Sequence, residues 1–151
     1  MTMVRETSGD SVRVFILEAH PAVRLALQRR LDATCHLVVI GVAHQAPCSL
    51  TYLRAIRPDI ILVGLPHQVL QDPSVTATTV SRLAQIAPVI VLATYAEELE
   101  RDTVLQAGAQ RYLLKQINTG RLIREIEMVA HQSRPGVTAP GSERQPGLGL
   151  A

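Results

Sequence analysis

The sequence predicts an α/β fold: a parallel five-stranded sheet with helices on both faces. Three observations carry that expectation. Apolar, β-branched runs of strand length alternate five times with segments of helical spacing. The runs are continuous rather than alternating, as in strands buried on both sides. The connections between them are short, which suits right-handed crossovers and a single parallel sheet.

The first strand is Val12–Leu17. Pro21 suits the first position of the next helix, whose apolar face is read as Ala22, Leu25, Ala26 and Leu31. The second strand, Leu37–Val42, leads through Pro47 into a helix with Leu50, Leu53 and Ile56 on one face. The third strand, Ile60–Val63, lies within RPDIILVG. The third helix, Pro73–Ile86, presents Val80, Leu83 and Ile86, although its threonines are poor helix formers. After the fourth strand, Val89–Leu92, Thr94 and Glu97 have capping-box spacing, and a helix runs through Leu99 to Leu105 and stops near Gly108. Tyr112–Leu114 is the fifth strand. Thr119–His131 is the fifth helix, with Leu122, Ile123, Ile126 and Val129 on one face.

This organisation gives a polar, flexible stretch over 1–10, one domain over 11–131 and a tail or linker stub over 132–151. The tail holds three of the nine prolines and four of the nine glycines without periodicity, so it has no core of its own. Aromatic residues make up 3% of the chain, which leaves the core to Val, Ile, Leu and Ala. A net charge of +2 with scattered arginines does not point to nucleic acid. No apolar run approaches the ~18 residues of a membrane span, and the start MTMVRETSGD lacks the apolar region of a signal peptide. A cytoplasmic protein is expected. Cys35 and Cys48 lack metal-ligand spacing and are read as two buried free thiols. His36, His44, His67 and His131 form no metal or catalytic spacing, and Ser74 and Ser81 sit in no nucleophile elbow. Neither an enzyme, a cofactor nor a metal is indicated.

Three stretches in order, VRVFILEAHPAVRLALQRRL, RPDIILVGLP and APVIVLATYAEELERDTVLQAGAQRYLLKQ, give the chain a resemblance to the receiver domain of two-component response regulators. It is most similar to the NarL/FixJ group and spans about residues 12 to 130. The resemblance implies a flavodoxin-like, CheY-like sheet in the order 2-1-3-4-5, with the working site at the carboxyl ends of the strands. In that family an acidic pair helps hold Mg²⁺, an aspartate accepts phosphate, a Ser or Thr follows the phosphoryl group and a lysine pairs with it. Carried over, the acidic pair falls on Glu18 and Ala19 and the acceptor on Gly64. The hydroxyl position falls on Ala93, with Thr94 one place late; the switch aromatic is Tyr112 and the lysine is Lys115.

The departures concern chemistry. Mg²⁺ is normally held by one or two carboxylates with waters and phosphate oxygens, and one carboxylate of the usual three remains. Glycine cannot carry an aspartyl-phosphate. Asp59 opens the same strand but lies about 16 Å away at ~3.3 Å per residue, and nothing in the sequence positions Asp72. A pseudo-receiver is therefore expected. Gly64 is read as filling space, against the alternative that its bare backbone admits a close neighbour. Pro66 is expected to stiffen the following loop. Lys115, the only lysine in the chain, is expected to pair with Glu18 across the emptied pocket. His20 is read as a helix-capping residue rather than a Glu18–His20 metal site, and Tyr112 as structural rather than a switch.

Two functional expectations follow. One is a phosphorylation-independent signalling or transcriptional module that works by protein contacts, as an isologous dimer or with a partner. Its surface would be the fourth helix, fifth strand and fifth helix, through Leu99, Arg101, Tyr112, Arg121, Arg124 and Glu125. The other is a sensor whose crevice, lined by Gly64, Pro66, Ala19, Ala93 and Lys115, takes an anionic metabolite.

Overall fold

A computed structural model of the 151-residue chain describes residues 11–44, 50–66 and 72–133. Five parallel strands, β1 (Val12–Glu18), β2 (Leu37–Ala43), β3 (Ile60–Gly64), β4 (Val89–Ala93) and β5 (Arg111–Leu114), form one sheet in the order β2-β1-β3-β4-β5. The helices are α1 (Pro21–Asp32), α2 (Leu50–Ile56), α3 (Pro73–Ala84), α4 (Glu98–Gln106) and α5 (Thr119–Ser133). The alternation, the parallel pairing and the strand order agree with the expectation. Pro47, Cys48 and His67 lie outside the described residues, as do the stretches 1–10 and 134–151.

Both faces of the sheet are buried, which is why its strands read as unbroken apolar runs. Val12, Val14, Ile16, Ile60, Leu62, Ile90 and Leu92 pack on one face with Leu27 and Leu31 of α1 and Leu122, Ile126 and Val129 of α5. Phe15, Leu17, Ile61, Val63, Val89 and Val91 pack on the other with Leu53 of α2, Val80 and Leu83 of α3 and Val104 of α4. The outer strand β2 carries no charge, and its pairing with β1 slips: Val14 faces Val39 but Phe15 faces Gly41, leaving Ile40 without an opposite number.

At the amino-terminal end of the sheet, Arg13 ties three segments together. Its guanidinium donates to the carbonyls of Ile56 and Arg57 at the end of α2, and its backbone N–H donates to Asp59 Oδ2 at 2.9 Å. Arg57 ends that turn in a left-handed conformation (φ 53°) just before Pro58.

Three readings need correction. Helix α1 buries Leu27 and Leu31, with Val23 packed alongside, whereas Ala22 and Ala26 are exposed and Leu25 is 46% exposed. The true stripe has i, i+4, i+8 spacing. Helix α4 starts at Glu98 with Glu97 as a cap that makes no side-chain bond, so the Thr94–Glu97 box does not form. Cys35 is free as expected but exposed, because it lies in the turn between α1 and β2. His20 does occupy the cap position of α1, without a side-chain bond, and Pro21 follows it at the first turn. Helix α4 ends at Gln106, near Gly108 as expected, whose φ of 120° suits glycine.

Candidate functional site

Strands β1, β3 and β4 end side by side. Glu18 is in register with Gly64, and the Lys115 N–H donates to the Ala93 carbonyl at 2.8 Å. The parallel register therefore assembles Glu18, Gly64, Ala93 and Lys115 from four elements distant in sequence. The Ala93 methyl is in the core, Ala19 is exposed at the rim and Thr94 is half-buried.

Glu18 is the one buried charged residue in the described core, at 2% exposure. Its Oε2 accepts the His20 backbone N–H at 3.0 Å, and its Oε1 lies 3.0 Å from Lys115 Nζ. The approach of the ammonium is an ion pair off the hydrogen-bonding direction, and Oε1 accepts no directed hydrogen bond. A buried carboxylate needs such compensation: desolvation of either charge costs several kcal/mol, about what attraction at this range returns. The expected Glu18–Lys115 pair is thus present.

The position of this carboxylate explains Gly64. A Cβ built on Gly64 would lie 1.8 Å from Glu18 Oε1 and 2.8 Å from its Cδ. The glycine is not filler, as read from sequence; it vacates the volume that Glu18 fills. The Mg²⁺ implied by the resemblance does not fit these residues. The single acidic side chain has one oxygen on a backbone N–H and the other beside an ammonium, where a second cation would be repelled. Among the described residues no three acidic, His or Cys side chains gather into a metal-binding group.

The two aspartates weighed as substitutes, Asp72 and Asp59, have structural partners. Asp72 caps α3, accepting from the Ser74 N–H at 2.9 Å and the Ser74 hydroxyl at 3.0 Å, and those bonds hold its carboxyl below the usual range. Asp59 holds Arg13 at the opposite end of the sheet.

The open space lies beside the crevice. A groove of about 820 Å³ runs from Glu18, Ala19, Pro66, Thr94 and Lys115 along Ala22, Val23 and Ala26 of α1 to Arg30. Gly64 is covered by the Glu18 carboxylate and Ala93 is in the core, so neither offers the anion seat expected of them. Arg30 is turned inward, donating to Thr119 Oγ1 at 2.8 Å and to the Ile117 carbonyl at 2.7 Å.

Tyr112 fastens β5 to α4. Its hydroxyl is 2.6 Å from Glu100 Oε1 and 3.1 Å from the Tyr95 carbonyl, and it accepts the Glu97 N–H at 3.2 Å. Burial, then the Glu100 hydrogen bond, push this phenol up to about 12. Among the other expected contact residues, Leu99, Arg101, Arg121 and Arg124 are exposed. Glu125 is engaged internally by Arg111 at 2.7 Å, a partner without a sequence signal because the two residues belong to different elements.

Residues 14–127 match the family model described as the response regulator receiver domain. The chain is similar to the transcriptional regulatory protein MctR of Rhizobium johnstonii, with 27% identity over 124 residues, covering 82% of this chain and 58% of that protein. It is also similar to LiaR of Bacillus subtilis, with 29% identity over 104 residues, covering 69% of this chain and 49% of that protein. It therefore spans about half the length of such relatives. Among solved structures, the signal receiver domain of the NarL response regulator from Mycobacterium tuberculosis superposes with a TM-score of 0.68 at 24% identity, over 83% of this chain and 99% of that one; at this identity the likeness speaks for the fold.

Proposed function

The chain belongs to the response regulator receiver domain family of bacterial two-component signalling, and we propose that it works there without accepting a phosphoryl group, through contacts with other proteins. The observation that carries this reading is the occupied volume above Gly64. The residue where the resemblance puts the acceptor has no side chain, and the space for one holds the Glu18 carboxylate. That carboxylate also engages Lys115, the cation that would meet a phosphoryl group. A fixed negative charge therefore stands in for the transient one, and the module holds one state. It is a binding module of the cytoplasm rather than an enzyme, and its exposed contacts are Leu99, Arg101, Arg121 and Arg124. Its relatives MctR and LiaR are named as regulatory proteins and are about twice the matched length, so the pathway it serves is regulation of transcription.

An anionic metabolite over Gly64 is the less favoured reading, because the charge of Lys115 is already matched. Incubation with an acyl phosphate and Mg²⁺, followed by intact-mass measurement, tests the proposal. An unchanged mass is expected, and a phosphoryl adduct on an aspartate would overturn it.

A further inference from the structure

The crevice at the carboxyl end of the sheet already holds an anion, and the way it is held describes a binding seat. The Glu18 carboxylate presents one oxygen to each of two donors. Its Oε2 accepts the His20 backbone N–H at 3.0 Å, and its Oε1 lies 3.0 Å from Lys115 Nζ. Gly64 supplies the volume, since a Cβ there would overlap Oε1. The seat is closed: the Glu18 side chain is 1% exposed and Oε1 is covered, whereas the Lys115 side chain keeps 15% exposure. One observation separates the seat from its occupant. Oε1 accepts no directed hydrogen bond among the described residues, although an ammonium stands beside it. The stem of Glu18 is fixed by the strand register that sets it level with Gly64, so its carboxylate is not free to turn toward Lys115. A free carboxylate has no such tether and can align one oxygen on each donor, the geometry of strong charge-assisted hydrogen bonds.

We infer that Glu18 is an intramolecular ligand, plugging a carboxylate-binding seat formed by the His20 N–H, Lys115 and the bare backbone of Gly64. This rests on the reading of the crevice as closed to phosphoryl transfer, and it names what closes it: an autoinhibitory side chain. The tether gives Glu18 a high effective concentration, so small free carboxylates do not displace it. Both Glu18 and Lys115 line the neighbouring groove, so removing the plug opens the seat on that side.

Thermal unfolding of the full chain in sodium formate, against sodium chloride at the same concentration, tests this. Glu18→Gly removes the plug and leaves room for a one-carbon carboxylate. Its melting temperature is expected to rise more in formate than in chloride, by a similar step for each tenfold of formate beyond half-saturation, as ligand linkage requires. The wild type is expected to respond alike to the two salts. So is Glu18→Gly combined with Lys115→Met, which keeps the space but lacks the cation. Absence of a formate-specific rise in Glu18→Gly would overturn the seat, and so would failure of formate to restore a fold to a variant unfolded without it. A formate-specific rise in the wild type would overturn the plug, and one in the double variant would overturn the part given to Lys115. A phosphoryl adduct on the wild type after acyl phosphate would instead overturn the phosphorylation-independent reading, whatever formate does.

Discussion

The hydroxyl of Tyr112 on β5 meets Glu100 on α4 at 2.6 Å, and the same oxygen accepts the Glu97 N–H, the donor that the sequence assigns to a capping box. A side chain 15 residues away in sequence thus does the work of a local cap. The start of α4, where Leu99 is exposed, is held by the sheet rather than by its own turn.

Tyr112→Phe is therefore expected to cost about 1 kcal/mol, the usual net worth of a hydrogen bond. It should also loosen the first turn of α4, read as faster amide exchange at Glu97. The pH dependence has a definite sign. The phenol is raised from 10.0 to about 12, so the folded state holds its proton longer than the unfolded chain does. Its stabilising contribution is complete below pH 10 and is lost as pH rises through 12. Tyrosinate absorbance should lose one late-titrating phenol on going from the native protein to the variant.

Gly64→Ala places a methyl against Glu18 and is expected to destabilise by about 2–3 kcal/mol, as overpacking does. The same change in a Glu18→Ala background should cost far less. Denaturant unfolding of the four proteins in a double-mutant cycle checks the coupling, and additive effects would mean that the two side chains do not compete for one volume.

Glu18→Gln leaves Lys115 beside a neutral amide and is expected to cost about 3 kcal/mol, near the low end for breaking a buried pair because the lysine keeps some solvent. Replacing both partners together, as Glu18→Leu with Lys115→Met, should fall within about 1 kcal/mol of the native protein. The midpoints of urea unfolding distinguish the two outcomes.

Cys35 is expected to react with an aromatic disulfide reagent in native buffer without a lag, since its turn is exposed. Loss of that fast phase in Cys35→Ser identifies the residue.

Most of the fold was legible because its signals are local. Strands buried on both faces must be apolar throughout, and α2 and α5 each carry one apolar stripe, so their faces were read correctly. Helix α1 failed because Ala22, Val23, Leu25, Ala26 and Leu27 surround it with apolar groups, and only packing on the sheet decides which are buried. Thr94 and Glu97 have the spacing of a cap, but Glu97 is itself the extended cap residue and its N–H is met by Tyr112 of β5. The Glu18–Lys115 pair could be anticipated from charge alone. The need for glycine at 64 could not, because it depends on where the carboxylate comes to rest.

That resting place couples three positions. A carboxylate introduced at position 64 would enter a volume already holding another, and removing Glu18 alone would strand a shielded ammonium. Each single change at Glu18 or Gly64 is expected to cost stability that the paired change returns. Glu18, Gly64 and Lys115 therefore act as one unit, and homologous chains that keep one of them are expected to keep all three.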